Sequence, residues 1–199
     1  MSTRTLLLRV PLMLVWLRLV LAPAMVLLAL YRPLPAAFAV CLLTGLLSDF
    51  FDGVIARRLG VATAGLRRFD SITDTVFILA ALAAVWVLHP AELREWALPL
   101  AILLMLEVGR YLLDFVKFRR EASYHMWSAK LWALSLYLAF YVLLVPGEPW
   151  IWVGLAIGLG ILSDLEGLFI SLVLPVWHHD VPSLVHAWRL RTLRSADDR

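Results

Sequence analysis

The segment Ser48–Thr75 reads SDFFDGVIARRLGVATAGLRRFDSITDT and places four aspartates within otherwise apolar stretches. They are Asp49, Asp52, Asp70 and Asp74, called the aspartate cluster below. An ionisable side chain within a membrane span is costly and is a functional candidate by default. Four charges of one sign cannot neutralise one another, so a positive group must lie between them. A divalent cation is the simplest candidate.

The composition of the chain predicts an all-α integral membrane protein. Hydrophobic residues make up 62% of the 199 residues, charged residues make up 17%, and the mean hydropathy is +0.85. A soluble domain is about half apolar and about a quarter charged. The long apolar runs lack the strict alternation of barrel strands, so spanning helices are favoured. Basic residues cluster at span ends rather than along one face, so no nucleic-acid partner is expected.

Six transmembrane helices are predicted from the apolar runs, because a helix needs about 20 apolar residues to cross a bilayer. Their boundaries fall at prolines, glycines and charge clusters. The predicted spans are Leu12–Leu30, Ala36–Ala56, Phe69–Leu88, Trp96–Phe118, Ser128–Val145 and Trp150–Leu174. Residues 1–175 are expected to form one membrane domain, and residues 176–199 a basic, amphipathic tail with an interfacial segment at Ser183–Leu193.

The distribution of lysine and arginine predicts the orientation, because cytoplasmic loops carry an excess of both. The loops on one side carry only Arg32 and Arg94. The other side carries Arg4, Arg9, Arg57, Arg58, Arg67, Arg68, Lys117, Arg119, Arg120, Arg189, Arg191, Arg194 and Arg199. Both termini and the aspartate cluster are therefore expected at the cytoplasmic face of a multi-pass protein, taken to lie in a bacterial inner membrane.

The spacing of the aspartates predicts that they meet. Asp49 and Asp52 are three residues apart, and Asp70 and Asp74 are four apart, so each pair shares one helix face. The second and third spans are joined by a short basic turn and should be antiparallel neighbours. Ligands that are all oxygen favour Mg²⁺ or Mn²⁺ over zinc. We predict a pair of ions, which could clamp a phosphoryl transfer.

Three residues after the first aspartate pair extend this candidate site. Gly53 and Ala56 lie four and seven residues after Asp49, on the same predicted face. Small residues there let a flat ligand or a neighbouring helix approach closely, and the sequence leaves both readings open. Arg57 follows at the helix end, where it could bind a phosphate or serve as a topology charge.

These residues resemble the signature of the CDP-alcohol phosphotransferase family, which reads D-x2-D-G-x2-A-R, a gap, then G-x3-D-x3-D. The matching positions are Asp49, Asp52, Gly53, Ala56, Arg57, Asp70 and Asp74. One departure is that Gly65 lies five residues before Asp70, so that Leu66 occupies the usual glycine position. Arg18 and Pro23 are similar to the R-x4-P of phosphatidylglycerophosphate synthases. The resemblance extends over residues 11–174, and the family fold has six spans with cytoplasmic termini.

The resemblance implies transfer of a phosphatidyl group from a CDP-linked lipid, CDP-diacylglycerol, to an alcohol with release of CMP. It implies metal binding by the aspartate cluster, with Asp74 also acting as the general base. It further implies that Gly53 and Ala56 admit the cytidine and that Arg57 binds donor phosphate. Membrane lipids, a small alcohol acceptor and a second copy in a homodimer are the implied partners.

Two basic residues resemble positions at which the family keeps positive charge near the acceptor. They are Arg110 and Lys130, the latter in a G-K-x-K-T-like segment that here reads AKLWA, without the second lysine and the threonine. If both face the site, a phosphorylated acceptor is favoured, and glycerol 3-phosphate leads. Inositol phosphate, serine or a phospholipid stay open, as does snorkelling of both side chains to the interface. Asp164 or Glu166 is expected to pair with one of them.

Two readings from other classes compete with this one. Buried carboxylates also mark the ion paths of transporters and channels. Here, however, the aspartates fall at one end of their spans, and no comparable acidic residues continue toward the other side. A catalytically inactive membrane scaffold is the second alternative, and the preserved spacing of all four aspartates disfavours it.

Overall fold

A computed structural model of the protein describes residues 9–197 except 62, 121–123, 125, 148–149 and 179. All regular secondary structure in this part is helical, and it comprises eight helices. They are α1 (Val10–Tyr31), α2 (Pro35–Arg58), α3 (Ala64–Leu88), α4 (Pro90–Glu95), α5 (Ala97–Phe118), α6 (Trp127–Leu144), α7 (Ile151–Val173) and α8 (Leu184–Asp197).

Five of these helices are long and apolar enough to cross a membrane, namely α1, α2, α3, α6 and α7. Many large apolar side chains on them are exposed, such as Val20 and Leu27 on α1, and a bilayer would cover them. Five of the six predicted spans are thus confirmed as candidates. The predicted span Trp96–Phe118 corresponds to α5, a helix of 22 residues. Its four charged residues exclude it from the candidate spans, which are chosen by length and composition. They are Glu107, Arg110, Asp114 and Lys117.

The connection from α2 to α3 is fixed by two local signals. Gly60 has a φ of +68° and ends α2, and the amide of Gly60 donates to the carbonyl of Arg57. The Val61 amide donates to the Ala56 carbonyl, which completes a Schellman motif. Thr63 then caps α3, because its hydroxyl accepts from the Leu66 amide at 3.2 Å. Gly60 and Thr63 therefore form the turn between α2 and α3, and Gly65, one residue away from the usual family position, lies within α3.

The chain divides into two compact units, each described separately. Unit 1 comprises Met1–Leu93 and Phe140–Pro149, and in it α1 packs against both α2 and α3. The buried positions of α1 follow one another at intervals of three and four residues, as one face of a helix requires. They are Pro11, Val15, Arg18, Ala22, Met25 and Ala29. An arginine therefore lies on the apolar stripe of α1.

Unit 2 comprises Arg94–Ala139 and Trp150–Arg199, and in it α7 packs against α5 and α8. Buried apolar residues from the α5–α6 connection, α7 and the C-terminal segment form its core, with Tyr124, Met126, Ile170, Leu174, Val181 and Ala187. Trp188 of α8 is half exposed, and Arg191 lies over its ring. The division into a membrane domain and an interfacial tail stays a prediction.

The contact of the Phe77 ring of α3 with the backbone of α2 at Gly45 gives a test of the packing in unit 1. A Cβ on Gly45 would meet the ring of Phe77, which is 1% exposed. We expect Gly45→Ala to cost about 1–3 kcal/mol by overpacking. Thermal unfolding in detergent micelles measures this loss as a lower midpoint temperature.

Gly158→Ala is the matched control, because a Cβ there meets no described heavy atom within 4 Å. In a helix interior this change should be neutral or stabilise by up to about 1 kcal/mol. The double variant Gly45→Ala/Phe77→Leu should recover part of the loss. An equal midpoint for Gly45→Ala and wild type would contradict the contact.

Candidate active site

The structure brings the four aspartates of unit 1 together around the side chain of Arg18. Asp49 and Asp52 lie in the last three turns of α2, and Asp70 and Asp74 lie near the start of α3. The Nη1 of Arg18 donates to Asp49 at 3.0 Å and to Asp74. Its Nη2 donates to Asp52 and to Asp70. Each terminal nitrogen therefore joins one carboxylate of α2 to one of α3.

Arg18 is the site residue that the sequence reasoning missed. A positive group was expected between the aspartates, and here a guanidinium with 0% exposure takes that place. The signal was present in the sequence, since Arg18 falls three residues after Val15 and four before Ala22 on the buried stripe. A charged residue on the apolar face of a span must be paired inside the protein.

The aspartates differ in their access from outside the cluster. The side chain of Asp52 is 5% exposed, whereas those of Asp49, Asp70 and Asp74 are 41%, 29% and 33% exposed. Asp49, Asp70 and Asp74 each offer a carboxylate oxygen, and these oxygens lie within 4.8 Å of one another. Asp52 therefore forms the buried wall of the site, and the other three form its accessible edge.

The donor set fits a hard divalent cation. Mg²⁺ binds carboxylate oxygens at about 2.1 Å, so opposite ligands are separated by roughly 4.2 Å. The clustered oxygens of the three accessible aspartates, within 4.8 Å of one another, come near this spacing. Four carboxylates also exceed the single charge of Arg18, which leaves an excess of negative charge for cations. The aspartates of unit 1 are thus a possible metal site.

Gly53, Ala56 and Arg57 follow Asp52 on α2, and their predicted roles in donor binding stay predictions. Ala56 is 5% exposed and lies one turn after Asp52 on the buried side of α2. A Cβ on Gly53 would lie 3.3 Å from Nη1 of Arg57, so the Arg57 guanidinium lies against the bare backbone at Gly53. Arg57 itself is exposed. Gly53 thereby lets this guanidinium lie flat along the helix.

The two candidate acceptor residues, Arg110 and Lys130, lie in unit 2. The side chain of Arg110 packs against Gly167 of α7, and a Cβ added at Gly167 would lie 2.7 Å from Cδ of Arg110. Its Nε lies 3.1 Å from Oδ1 of Asp164, so the expected pairing with an acidic residue of α7 is present. Lys130 lies over the ring of Trp127 at 4.5 Å from the ring centroid.

Glu166 anchors the start of the C-terminal helix. Its carboxylate accepts from the hydroxyl of Ser128 at 2.5 Å and from the amide of Leu184 at 3.1 Å. Leu184 is the first residue of α8, so Glu166 satisfies one of the amides that a helix leaves unpaired at its N-terminus. Glu166 therefore joins α6, α7 and α8, and it does not pair with either basic residue.

A second buried polar network in unit 2 was also missed. The hydroxyl of Ser171 donates to Asp114, and both side chains are fully buried. The Tyr124 hydroxyl lies 3.2 Å from the same serine oxygen, and burial raises the pKa of this phenol. Lys117 donates to the carbonyls of Ser171 and Leu172 at 2.7 and 3.1 Å. The charged residues of α5 are therefore largely paired within the unit.

The fold and the site define a helical integral membrane protein with a carboxylate cluster suited to a divalent cation. The sequence model of the family described as CDP-alcohol phosphatidyltransferase matches residues 8–163. This match covers most of the chain, so the protein belongs to the CDP-alcohol phosphatidyltransferase family. No curated protein and no solved structure gave a match.

Family membership establishes the kind of reaction. The protein is a phosphatidyltransferase of phospholipid synthesis, and the family transfers a phosphatidyl group from CDP-diacylglycerol to an alcohol acceptor. The aspartate cluster is consistent with metal binding in such an enzyme.

A metal site of this kind should couple cation binding to stability. We expect Mg²⁺ or Mn²⁺ to raise the unfolding temperature of the purified protein, and EDTA to reverse the increase. A cation present at one hundred times its dissociation constant raises the free energy of unfolding by about 2.7 kcal/mol. Asp70→Asn should abolish the increase, because it replaces one of the three clustered carboxylates with a neutral amide that binds a divalent cation far more weakly.

Glu95→Gln is the control, since this exposed carboxylate at the end of α4 should not affect the response. Differential scanning fluorimetry in detergent, with and without cation, measures both variants. A cation-dependent increase that survives in Asp70→Asn would show that the ion binds elsewhere.

Proposed function

We propose that the protein transfers the phosphatidyl group of CDP-diacylglycerol to glycerol 3-phosphate. The observation that carries this proposal is the convergence of Asp49, Asp70 and Asp74, whose oxygens lie within 4.8 Å of one another. A diphosphate donor needs charge neutralisation at a fixed position, and such a cluster can hold the cations that provide it. Two Mg²⁺ or Mn²⁺ ions, held by the four aspartates, would neutralise the donor diphosphate and the leaving phosphate.

The proposed step is a substitution at the phosphorus that carries the diacylglycerol. The acceptor hydroxyl oxygen attacks this phosphorus, and its proton passes to the carboxylate of Asp74. The bond between this phosphorus and the bridging oxygen breaks, and CMP leaves with that oxygen. Asp74 is 33% exposed, so an acceptor can reach it, and a positioned carboxylate can act as a general base. Gly53 and Ala56 would admit the cytidine, and Arg57 would bind donor phosphate.

The choice of a phosphorylated acceptor rests on Arg110 and Lys130. Asp164 lies 3.1 Å from Nε of Arg110, and the guanidinium carbon of Arg110 lies 5.1 Å from the ring centroid of Tyr111. A planar guanidinium with terminal donors suits a phosphate group. The R-x4-P of Arg18 and Pro23 also favours the phosphatidylglycerophosphate synthase subgroup, which uses this acceptor. Inositol phosphate, serine and a phospholipid are the alternatives.

Six spans with both termini in the cytoplasm remain the topology that we propose, with α5 as the additional span. Its 22 residues are enough to cross a bilayer. Three of the four charges that exclude it on composition have partners within unit 2, namely Asp164 for Arg110, Ser171 for Asp114 and two carbonyls for Lys117. Paired charges that face a bundle interior are tolerated in membranes. A homodimer in the bacterial inner membrane, with the site facing the cytoplasm, completes the proposal.

The catalytic assignment predicts CMP release that depends on a divalent cation and on Asp74. With CDP-diacylglycerol and glycerol 3-phosphate in mixed micelles, we expect CMP only with Mg²⁺ or Mn²⁺ present. Asp74→Asn should lower the rate by roughly 10²- to 10⁴-fold, which is the usual contribution of a general base. Chromatographic quantification of CMP measures the rate. Glu95→Gln should react as wild type, and CMP release at the wild-type rate from Asp74→Asn would overturn the role of Asp74.

The acceptor assignment predicts that Arg110→Met raises the KM for glycerol 3-phosphate by roughly 10- to 100-fold. This is the effect of losing a hydrogen bond to a charged group, worth about 1.5–3 kcal/mol. Because the change leaves Asp164 unpaired, the double variant Arg110→Met/Asp164→Asn tests the same point without a lone buried charge. Arg94→Met is the control on an exposed arginine. A panel of glycerol 3-phosphate, inositol phosphate, serine and phosphatidylglycerol identifies the acceptor, and an unchanged KM in both variants would contradict the assignment.

A further inference from the structure

The buried guanidinium of Arg18 contacts the same carboxylates that are suited to bind cations. We propose that Arg18 is an internal counter-cation that competes with divalent cations for the aspartate cluster and couples their binding to that of the donor diphosphate. This inference rests on the proposed metal site. It assigns Arg18 a positioning role that neither the family signature nor the cluster alone requires.

The four carboxylates lie on two helices, and their mutual repulsion would separate the end of α2 from the start of α3. Arg18 opposes this, because Nη1 contacts Asp49 and Asp74 while Nη2 contacts Asp52 and Asp70. A guanidinium is planar and forked, so it can bridge two pairs at once, which a lysine ammonium cannot do in the same geometry. Arg18 thus holds α1, α2 and α3 together.

Arg18 and a divalent cation would compete for the same carboxylates. Asp49, Asp70 and Asp74 supply the clustered oxygens, and each of these residues is also a partner of Arg18. A divalent cation among them would lie within a few ångströms of a full positive charge. Repulsion at such distances is strong where the surroundings are poorly polarisable. Tight cation binding therefore requires the guanidinium to move away from these carboxylates.

A guanidinium displaced from these carboxylates needs a new partner. Arg18 has 0% exposure, and its Nε has no hydrogen-bond partner among the described residues. A buried charge without a partner is strongly destabilising. The displacement is therefore favourable only if an anion enters with the cation. The diphosphate of a nucleotide donor is such an anion, and arginine binds phosphate with paired hydrogen bonds.

The consequence is a thermodynamic coupling between two ligands through one side chain. A diphosphate accommodates the guanidinium that the cation displaces, so each ligand should raise the affinity of the other. Direct contact between cation and phosphate also contributes to coupling, so the share due to Arg18 is the part that its removal abolishes. A purely structural arginine would stabilise the fold but would not change cation affinity in this direction.

The test measures Mn²⁺ binding to the purified full-length protein in detergent, with free Mn²⁺ followed by electron paramagnetic resonance. Wild type, Arg18→Met and the control Arg32→Met are each titrated with and without CDP. Arg32 is exposed at the end of α1, so its replacement removes the same charge outside the site. We expect Arg18→Met to bind Mn²⁺ roughly tenfold or more tightly without CDP, because the competing charge is gone. The enhancement by CDP should be several-fold smaller than in wild type.

A second variant, Arg18→Lys, tests the proposal if Arg18→Met folds poorly without cation. Arg18→Lys retains the charge but loses the fork, and it should show an intermediate Mn²⁺ affinity. In EDTA, both variants should unfold at lower temperature than wild type and Arg32→Met. Unchanged or weaker Mn²⁺ binding by folded Arg18 variants would overturn the proposal.

The same experiment separates this proposal from the metal site on which it rests. If neither wild type nor any variant binds Mn²⁺, the proposed metal site is wrong, and the proposed competition is wrong with it. If wild type binds Mn²⁺ and Asp70→Asn does not, the metal site stands. The comparison of Arg18→Met with Arg32→Met then decides the role of Arg18 alone. An equal CDP enhancement in these two variants would also overturn the coupling.

Discussion

Unit 1 depends on the balance of one guanidinium against four carboxylates inside a bundle of apolar helices. Charged groups are expensive in a bilayer, so Arg18 and the aspartate cluster must face one another and cannot face lipid. This requirement fixes the rotation of α1 about its axis, and the stripe from Val15 to Met25 follows from it. It also brings the end of α2 to the start of α3, as the short turn at Gly60 allows.

Much of unit 1 could be predicted from local sequence signals. The three- and four-residue spacings of the aspartates predict shared helix faces, and length and apolarity predict the candidate spans α1, α2 and α3. Arg18 was harder to place, because its partners lie on two other helices and a single-helix pattern does not identify them. The displaced Gly65 left the turn between α2 and α3 undetermined, and in the structure the positive φ lies at Gly60 and the cap at Thr63.

Unit 2 shows where composition fails as a guide to membrane helices. Hydropathy counts each charge on α5 as unpaired, but Arg110, Asp114 and Lys117 all have partners on or near α7. Sequence reasoning expected Asp164 or Glu166 to pair with Arg110 or Lys130, and an Arg110–Asp164 pair is present. It could not choose between Asp164 and Glu166, because they lie two residues apart and on different faces. The structure assigns Asp164 to Arg110 and Glu166 to the start of α8.

The excess of negative charge in unit 1 has a physical use in an enzyme of this family. A fully neutralised cluster would be more stable, but it would have little affinity for the cations that a diphosphate donor needs. Proteins often keep such locally unfavourable arrangements at functional sites and compensate for them elsewhere. Here the compensation comes from Arg18, whose single positive charge neutralises part of the negative charge of the cluster. The remaining negative charge can attract cations. The lipid donor explains why these charges lie at helix ends within a membrane protein, since its acyl chains can stay in the bilayer while its polar headgroup reacts.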